Sequence, residues 1–298
     1  MYKELLFHEG DVARVCGLEF GVQSPADILA DSVVEVKSTE TYAGNEPLPH
    51  GLFDTRMGVV DHGMVCRTCG MTNAFCPGHF GHISLEPVFY PQFMDVVRKL
   101  LRCVCFRCSA LLVAPDSPEV RALHGRRMSR QKRWEAMYKL CSKARKCEHC
   151  SARQADRVSC TEDMKIWMEW RDGDNALKEE MVLGAKDALR IFRRVTDEDA
   201  DALGFSSRHN RPEWLICTVL AVPPPQLRPS VRNDTGLRSE DDITHILRDV
   251  VKINLKIQER IAVRLSTTCP PSSITRCPRC ALLHAIAWAA CCAPSRTV

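Results

Sequence analysis

Apolar spacing marks several elements along the chain. Trp134, Met137, Tyr138 and Cys141 recur at i, i+3, i+4 and i+7, the spacing of one helical face. Around them, from Arg121 to Lys146, Lys and Arg abound and Glu135 is the lone acid. Ile243, Ile246, Leu247, Val250 and Val251 repeat helical spacing in DDITHILRDVVKINLKIQERI, with Asp241 or Asp242 placed to cap the helix. WLICTVLAV, Trp214–Val222, is instead a continuous apolar run of strand length. Pro223, Pro224 and Pro225 end it and stiffen the adjoining segment.

TDEDADALG predicts a short helix, with Thr196 as N-cap, Asp199 at the third helical position and Gly204 as the stop. Asp197, Asp199 and Asp201 have a spacing that suggests a magnesium site. On a helix, however, alternate residues point about 200° apart, so these carboxylates do not converge. The helix dipole explains acids in a first turn. RDGD, Arg171–Asp174, reads as an exposed turn, and Arg228 and Arg232 are placed to meet nucleic acid or internal carboxylates.

Composition narrows the class. The 298 residues suffice for a sizeable core and one or two domains. Net charge is only +4, so basic character has to be local. No apolar run approaches the roughly 20 residues of a membrane span, and the charged start MYKELLFHEGDVARVCG lacks a signal-peptide core. The expectation is an intracellular, reducing compartment, where structural disulfides are rare.

Seventeen cysteines then need another account. CRTCGMTNAFCPGHFGH places Cys66 and Cys69 as C-x-x-C, and Cys76 and His79 as C-x-x-H. Two residues between ligands let a tight turn aim both side chains at one ion. Four filled places make a structural tetrahedral zinc site rather than a catalytic one. His82 is the rival fourth ligand, and His79 is preferred because its spacing repeats the turn. In CVCFRC, Cys105 and Cys108 have ligand spacing, and CEHC adds Cys147 and Cys150 downstream. Pairing the two closes a long loop, at a cost that grows only logarithmically with length. Cys103, Cys141, Cys160 and His149 are weaker candidates. The basic face of the enclosed helix is a candidate phosphate-binding surface, through Arg126, Arg127, Arg130, Lys132 and Arg133.

Taken in order, GVQSPADILADSVVEV, GLFDTRMGVVDHGMVCRTCG, CPGHFGHISLEPVFYPQF, CVCFRCSALLV, RVTDEDADALGF, RPEWLICTVLAVPPPQLRPSV and RSEDDITHILRDVVKIN resemble the N-terminal clamp region of the largest subunit of multisubunit DNA-directed RNA polymerases. The wording is closest to RNA polymerase II or to the enzymes of large DNA viruses, and it covers roughly Phe20 to Ile261. The resemblance implies a mixed α+β, zinc-stabilised fold, comprising the clamp head and part of the clamp core. It assigns two structural zinc ions to Cys66, Cys69, Cys76 and His79, and to Cys105, Cys108, Cys147 and Cys150.

The implied division is a clamp-core segment over 1–60, a zinc-binding clamp head with a basic helical insertion over 61–160, a core continuation over 161–261, and a divergent, unstructured tail over 262–298. The implied role is to enclose DNA and the RNA–DNA hybrid during transcription. Partners would be the second-largest and other polymerase subunits, with no membrane. The location would be the nucleus if the protein is cellular, or a cytoplasmic factory or virion if viral.

The family's catalytic stretch, N-A-D-F-D-G-D, does not occur in these 298 residues. Magnesium would therefore belong to the complete enzyme, a nucleotidyltransferase, and the chain alone is expected to be inactive with no catalytic residue of its own. A stand-alone zinc-dependent nucleic-acid- or protein-binding module is the competing reading. A self-contained metalloenzyme would need an open metal position, which two filled quartets do not offer. Past Ile261 the tail turns rich in Cys, Pro and Ala and reads as translation out of frame, a mis-predicted exon or a truncated gene. Cys277, Cys280, Cys291 and Cys292 repeat ligand spacing there, where the family has no site.

Overall fold

The computed structural model describes residues 18, 20–44, 46–114, 117–124, 128–161, 163–171, 179–232 and 238–268. Its elements are α1 (Pro25–Asp31), β1 (Tyr42–Ala43), β2 (Glu46–Pro47), β3 (Gly81–Phe89), α2 (Met94–Leu100), α3 (Pro118–His124), α4 (Arg130–Cys141), β4 (Arg157–Cys160), β5 (Ile166–Trp170), β6 (Glu179–Leu183), α5 (Ala185–Phe192), α6 (Asp197–Leu203), β7 (Ile216–Val222), β8 (Val231–Arg232), β9 (Arg238–Ser239) and α7 (Asp242–Thr268). This is the expected mixed α+β architecture. Two compact units emerge, each assembled from two separate stretches: the described residues of Met1–Ala30 with Pro87–Leu220, and those of Asp31–Glu86 with Ala221–Val298.

In the first unit, β4, β5 and β6 form an antiparallel sheet with Val158 opposite Met168 and Ile166 opposite Leu183. Those four side chains are buried and join the core formed by α2, α4, α5 and α6. Met137 and Cys141 of α4 are fully buried, and Trp134 meets Phe205 edge to face with centroids 5.3 Å apart. The apolar face anticipated for this helix is therefore the face that packs. Ser129 caps α4, its side chain accepting from Lys132 N.

Helix α6 forms as its sequence dictates. Thr196 Oγ1 accepts from Asp199 N at 3.2 Å. Gly204 ends the helix with φ of 92°, and a Cβ there would also meet Arg130 O at 3.0 Å. Its acids serve structure: Asp197 pairs with Arg211, and buried Asp199 accepts from Leu111 N at 3.3 Å. Among the described residues the three aspartates form no metal-holding group.

In the second unit, Leu52, Phe53, Met57, Ile83, Leu247 and Val251 are buried. Asp241 caps α7, accepting from Ile243 N at 3.1 Å. Asn254 of α7 binds the β3 backbone from both ends of its amide, accepting from Glu86 N at 3.1 Å and donating to Ser84 O at 2.9 Å.

Several details depart from expectation. Trp214 and Leu215 belong to a 3-10 turn over Pro212–Leu215, and the strand starts at Ile216. Among the described residues Arg228 meets no carboxylate, and it does not face solvent. It is 0% exposed, donates to Pro223 O at 3.0 Å, to Thr244 Oγ1 at 3.3 Å and to Leu52 O, and lies over the Phe53 ring. Helix α7 runs to Thr268, seven residues into the stretch expected to be a separate tail. Residues 269–298, with Cys277, Cys280, Cys291 and Cys292, lie outside the described residues, as do Asp172, Gly173 and Asp174 of the expected exposed turn. Among the described residues no helix is long and apolar enough to cross a membrane.

Candidate metal centres

Three C-x-x-C turns share one backbone design. After Cys66 and Cys69, Gly70 takes φ of 69°. After Cys105 and Cys108, and after Cys147 and Cys150, Ser109 and Ser151 take φ of 65° and 54°. In each, the residue after the second cysteine donates its N–H to the first cysteine's carbonyl at 2.9 Å: Gly70 to Cys66, Ser109 to Cys105 and Ser151 to Cys147. The first cysteine's N–H returns a bond to the residue after that one, to Met71 O, Ala110 O and Ala152 O at 2.9, 2.9 and 3.0 Å. The left-handed residue reverses the chain and leaves both sulfurs on one side.

The second unit gathers Cys66, Cys69, Cys76 and His79 with all four ligand atoms within 4.8 Å of one another. Cys66 and Cys76 are buried, while Cys69 and His79 are half-buried. Val59 and Met64 pack against the cluster. Among the described residues Nε2 of His79 is buried with no hydrogen-bond partner, and in the tautomer protonated at Nδ1 its lone pair is available to a bound cation. The imidazole lies beside Cys69, and this contact chiefly holds the Cys69 thiol down to about 6, whereas burial pushes Cys76 up to about 11.

Asp54 and Arg56 brace the approach to this cluster. The buried Asp54 carboxylate accepts from His50 N at 2.6 Å and from Arg56 Nη2 at 2.7 Å. Arg56 O in turn accepts from Thr68 Oγ1 at 2.7 Å, and the Cys66 thiol reaches it at 3.8 Å. His82, the rival ligand, stays outside the group: its Nδ1 lies 2.7 Å from Ser32 Oγ.

The first unit gathers Cys105, Cys108, Cys147 and Cys150, again within 4.8 Å. Sγ–Sγ separations of 3.6 Å join Cys105 to Cys150 and Cys108 to Cys147. A disulfide needs about 2.0 Å. A tetrahedron with metal–sulfur bonds of about 2.3 Å has edges of about 3.8 Å. The observed spacing fits the tetrahedron.

Burial pushes Cys108 up to about 12. At Cys105 burial also raises the thiol, but the N–H groups of Cys108 and Arg107 outweigh it and bring it to about 7. Buried Gln154 donates to Cys105 Sγ at 3.2 Å, the kind of outer bond that orients a metal ligand. Nothing in the C-x-x-C spacing pointed to Gln154, although it lies four residues past Cys150.

Both quartets can therefore hold a structural metal ion. Sulfur and imidazole donors suit a borderline-soft dication, and four protein ligands leave no open position for chemistry. The weaker candidates stay apart: Cys103 and Cys141 are fully buried, and Cys160 is exposed, all outside the two groups. Of the candidate phosphate ligands, Arg126 and Arg127 lie outside the described residues. Arg130 and Lys132 are exposed and Arg133 is half-buried, all in the first turn of α4.

The sequence has counterparts among known proteins. Residues 12–269 match the family described as RNA polymerase Rpb1, domain 1. The chain is 37% identical over 249 residues to DNA-directed RNA polymerase subunit Rpo1N of Methanocaldococcus jannaschii, an alignment covering 81% of this chain and 18% of that protein. It is 34% identical over 267 residues to DNA-directed RNA polymerase II subunit RPB1 of Euplotoides octocarinatus, covering 85% of this chain and 55% of that protein. The chain thus spans only part of either relative's length.

Proposed function

We propose, because this chain belongs to the RNA polymerase Rpb1, domain 1 family, that it acts as the N-terminal clamp portion of a DNA-directed RNA polymerase largest subunit. In this reading it encloses DNA and the RNA–DNA hybrid beside the active centre, docked to the second-largest and other subunits, in the nucleus if the source is eukaryotic. The observation that carries the reading is the pair of metal-ready quartets, both inside the matched residues 12–269. A stand-alone binding module is not favoured, because the family match runs through both units.

Zinc is the metal we assign to both centres. Cys66, Cys69, Cys76 and His79 would hold one ion, and Cys105, Cys108, Cys147 and Cys150 the other. The ions would supply cross-linking and folding free energy, not catalysis. Magnesium chemistry would belong to the complete enzyme, whose aspartate motif these residues do not include.

Charge supports a nucleic-acid partner. Arg130, Lys132 and Arg133 crowd the first turn of α4 with no acid there. Cations are unfavourable at that positive end of the helix dipole, and a phosphate group would offset the repulsion. Arg126 and Arg127 precede them in the chain and extend the same candidate surface.

A chimera tests the reading. The matching region of the Methanocaldococcus jannaschii subunit is replaced by residues 12–269 of this chain and the polymerase is reassembled. The expected result is template-dependent RNA synthesis that is lost when both metal quartets are disrupted. Assembly into an enzyme that cannot retain DNA or extend RNA would count against it.

A further inference from the structure

Beside the second metal centre, and apart from the α4 surface, lies a cleft of about 800 Å³. Arg102, Lys143, Arg145, Lys146, Arg153 and Arg171 line it. Among the described residues Asp156 is the lone carboxylate in the wall, and it is already engaged: its Oδ2 accepts from Arg171 N at 2.8 Å and from Arg153 at 3.3 Å. Among the described lining residues, six cations thus stand with one committed anion, in a chain whose net charge is only +4. Like charges so gathered repel one another, and an anionic occupant relieves that repulsion.

The cleft is also built rather than incidental. Arg102 ties its walls together, donating to Asp156 O at 2.6 Å and to Ser142 O at 2.9 Å. Lys146 and Arg153 are bridge partners across the knuckle that carries Cys147 and Cys150. The backbone that positions two metal ligands therefore also positions cleft cations. Lys143 and Lys146 are exposed and form no salt bridge among the described residues.

We propose that this cleft binds the sugar–phosphate backbone of nucleic acid. The inference rests on the polymerase reading for the source of the strand, and deepens it by placing a second phosphate contact beside the second metal centre. The lining favours phosphodiester over an acidic peptide. Among the described residues its apolar contribution is limited to Ala144, Ala155 and the stems of long side chains. Peptide docking relies on apolar anchors in pockets, whereas phosphate binding needs only placed cations and gains from counterion release. The cations come from four separate segments, at Arg102, Lys143–Lys146, Arg153 and Arg171, so the cleft can follow a strand past successive phosphates.

The test uses the full chain with zinc bound and a fluorescent DNA duplex, titrated between 50 and 200 mM salt. The variant Lys143→Gln/Arg145→Gln/Lys146→Gln removes exposed cations and leaves Arg102 and Arg153 in place. A second variant, Arg130→Gln/Lys132→Gln, alters α4 instead. Metal content and thermal unfolding verify that each variant is folded.

Cleft binding predicts that the triple variant binds at least tenfold more weakly at low salt and that its log–log salt slope is shallower by about 2 to 3. Unchanged affinity and slope in the triple variant would overturn the proposal, including when the α4 variant alone loses binding. Polyglutamate competing as well as DNA of equal charge would overturn it in favour of an acidic peptide. The two readings fail separately: an inactive chimera with cleft-dependent DNA binding indicts the polymerase role, and an active chimera with an unchanged triple variant indicts the cleft.

Discussion

Ser109 and Ser151 occupy the same backbone place, one residue past Cys108 and Cys150, with φ of 65° and 54°. Gly70 fills that place after Cys69. A left-handed conformation costs an L-residue roughly 1–2 kcal/mol relative to glycine. Ser151→Gly is therefore expected to raise the stability of the metal-bound chain by about 1 kcal/mol, read as a higher denaturant midpoint. Ser109→Gly should do at least as well, because it also removes a buried hydroxyl with no hydrogen-bond partner. A lower midpoint in both would show that the serine side chains contribute something the backbone does not reveal.

His79 and His82 are three residues apart and have different fates. His79→Ala should lose one of two bound zinc ions and destabilise the unit that holds Cys66. His82→Ala should keep both ions and lose only its contact with Ser32. Metal analysis of the two variants decides between them, and loss of zinc in His82→Ala alone would reverse the assignment.

The Asp54 carboxyl is expected to make stability depend on pH. Burial by itself would raise it, but hydrogen bonds from Arg56 and His50 outweigh burial and hold it below the usual carboxylate value. Its contribution is thus fully present above the unfolded value of about 4 and fades as pH falls through the folded value. Asp54→Asn should cost about 2 kcal/mol at neutral pH. The gap from the parent should narrow below pH of about 4. A gap constant across that range would mean that charge on Asp54 contributes nothing.

Arg228→Met tests a buried cation that serves structure. It leaves the carbonyls of Leu52 and Pro223 without their guanidinium donors, and the expected loss is about 3 kcal/mol. Arg228→Lys should recover only part of it, since one ammonium cannot reproduce the fork. Destabilisation below 1 kcal/mol would mean that the surrounding backbone finds other partners.

Local signals in the sequence carried far. The N-cap at Thr196, the stop at Gly204 and the buried face of α4 depend on residues within a few positions, and the structure has all three. The eight metal-ligand candidates were legible because two-residue spacing is itself a geometric constraint. Partners distant in sequence were not legible. Arg228 reads as a partner for nucleic acid or for an internal carboxylate until Leu52, 176 residues away, supplies its acceptor. Each compact unit joins two separated stretches, an arrangement that a reading along the chain has no way to display. The cationic cleft was also hidden, because Arg102, Arg153 and Arg171 meet the Lys143–Lys146 run only once the knuckle folds.

Zinc X-ray absorption on the purified full chain, paired with metal counting, is the most direct test of the two-centre account. The ligand sets contain seven sulfurs and one nitrogen over two ions. The account predicts two zinc ions per chain and an average shell of 3.5 sulfurs at about 2.3 Å with half a nitrogen at about 2.0 Å. Cys108→Ser should leave a single ion with three sulfurs and one nitrogen. A folded chain that binds no zinc, or a shell dominated by oxygen, would contradict the account.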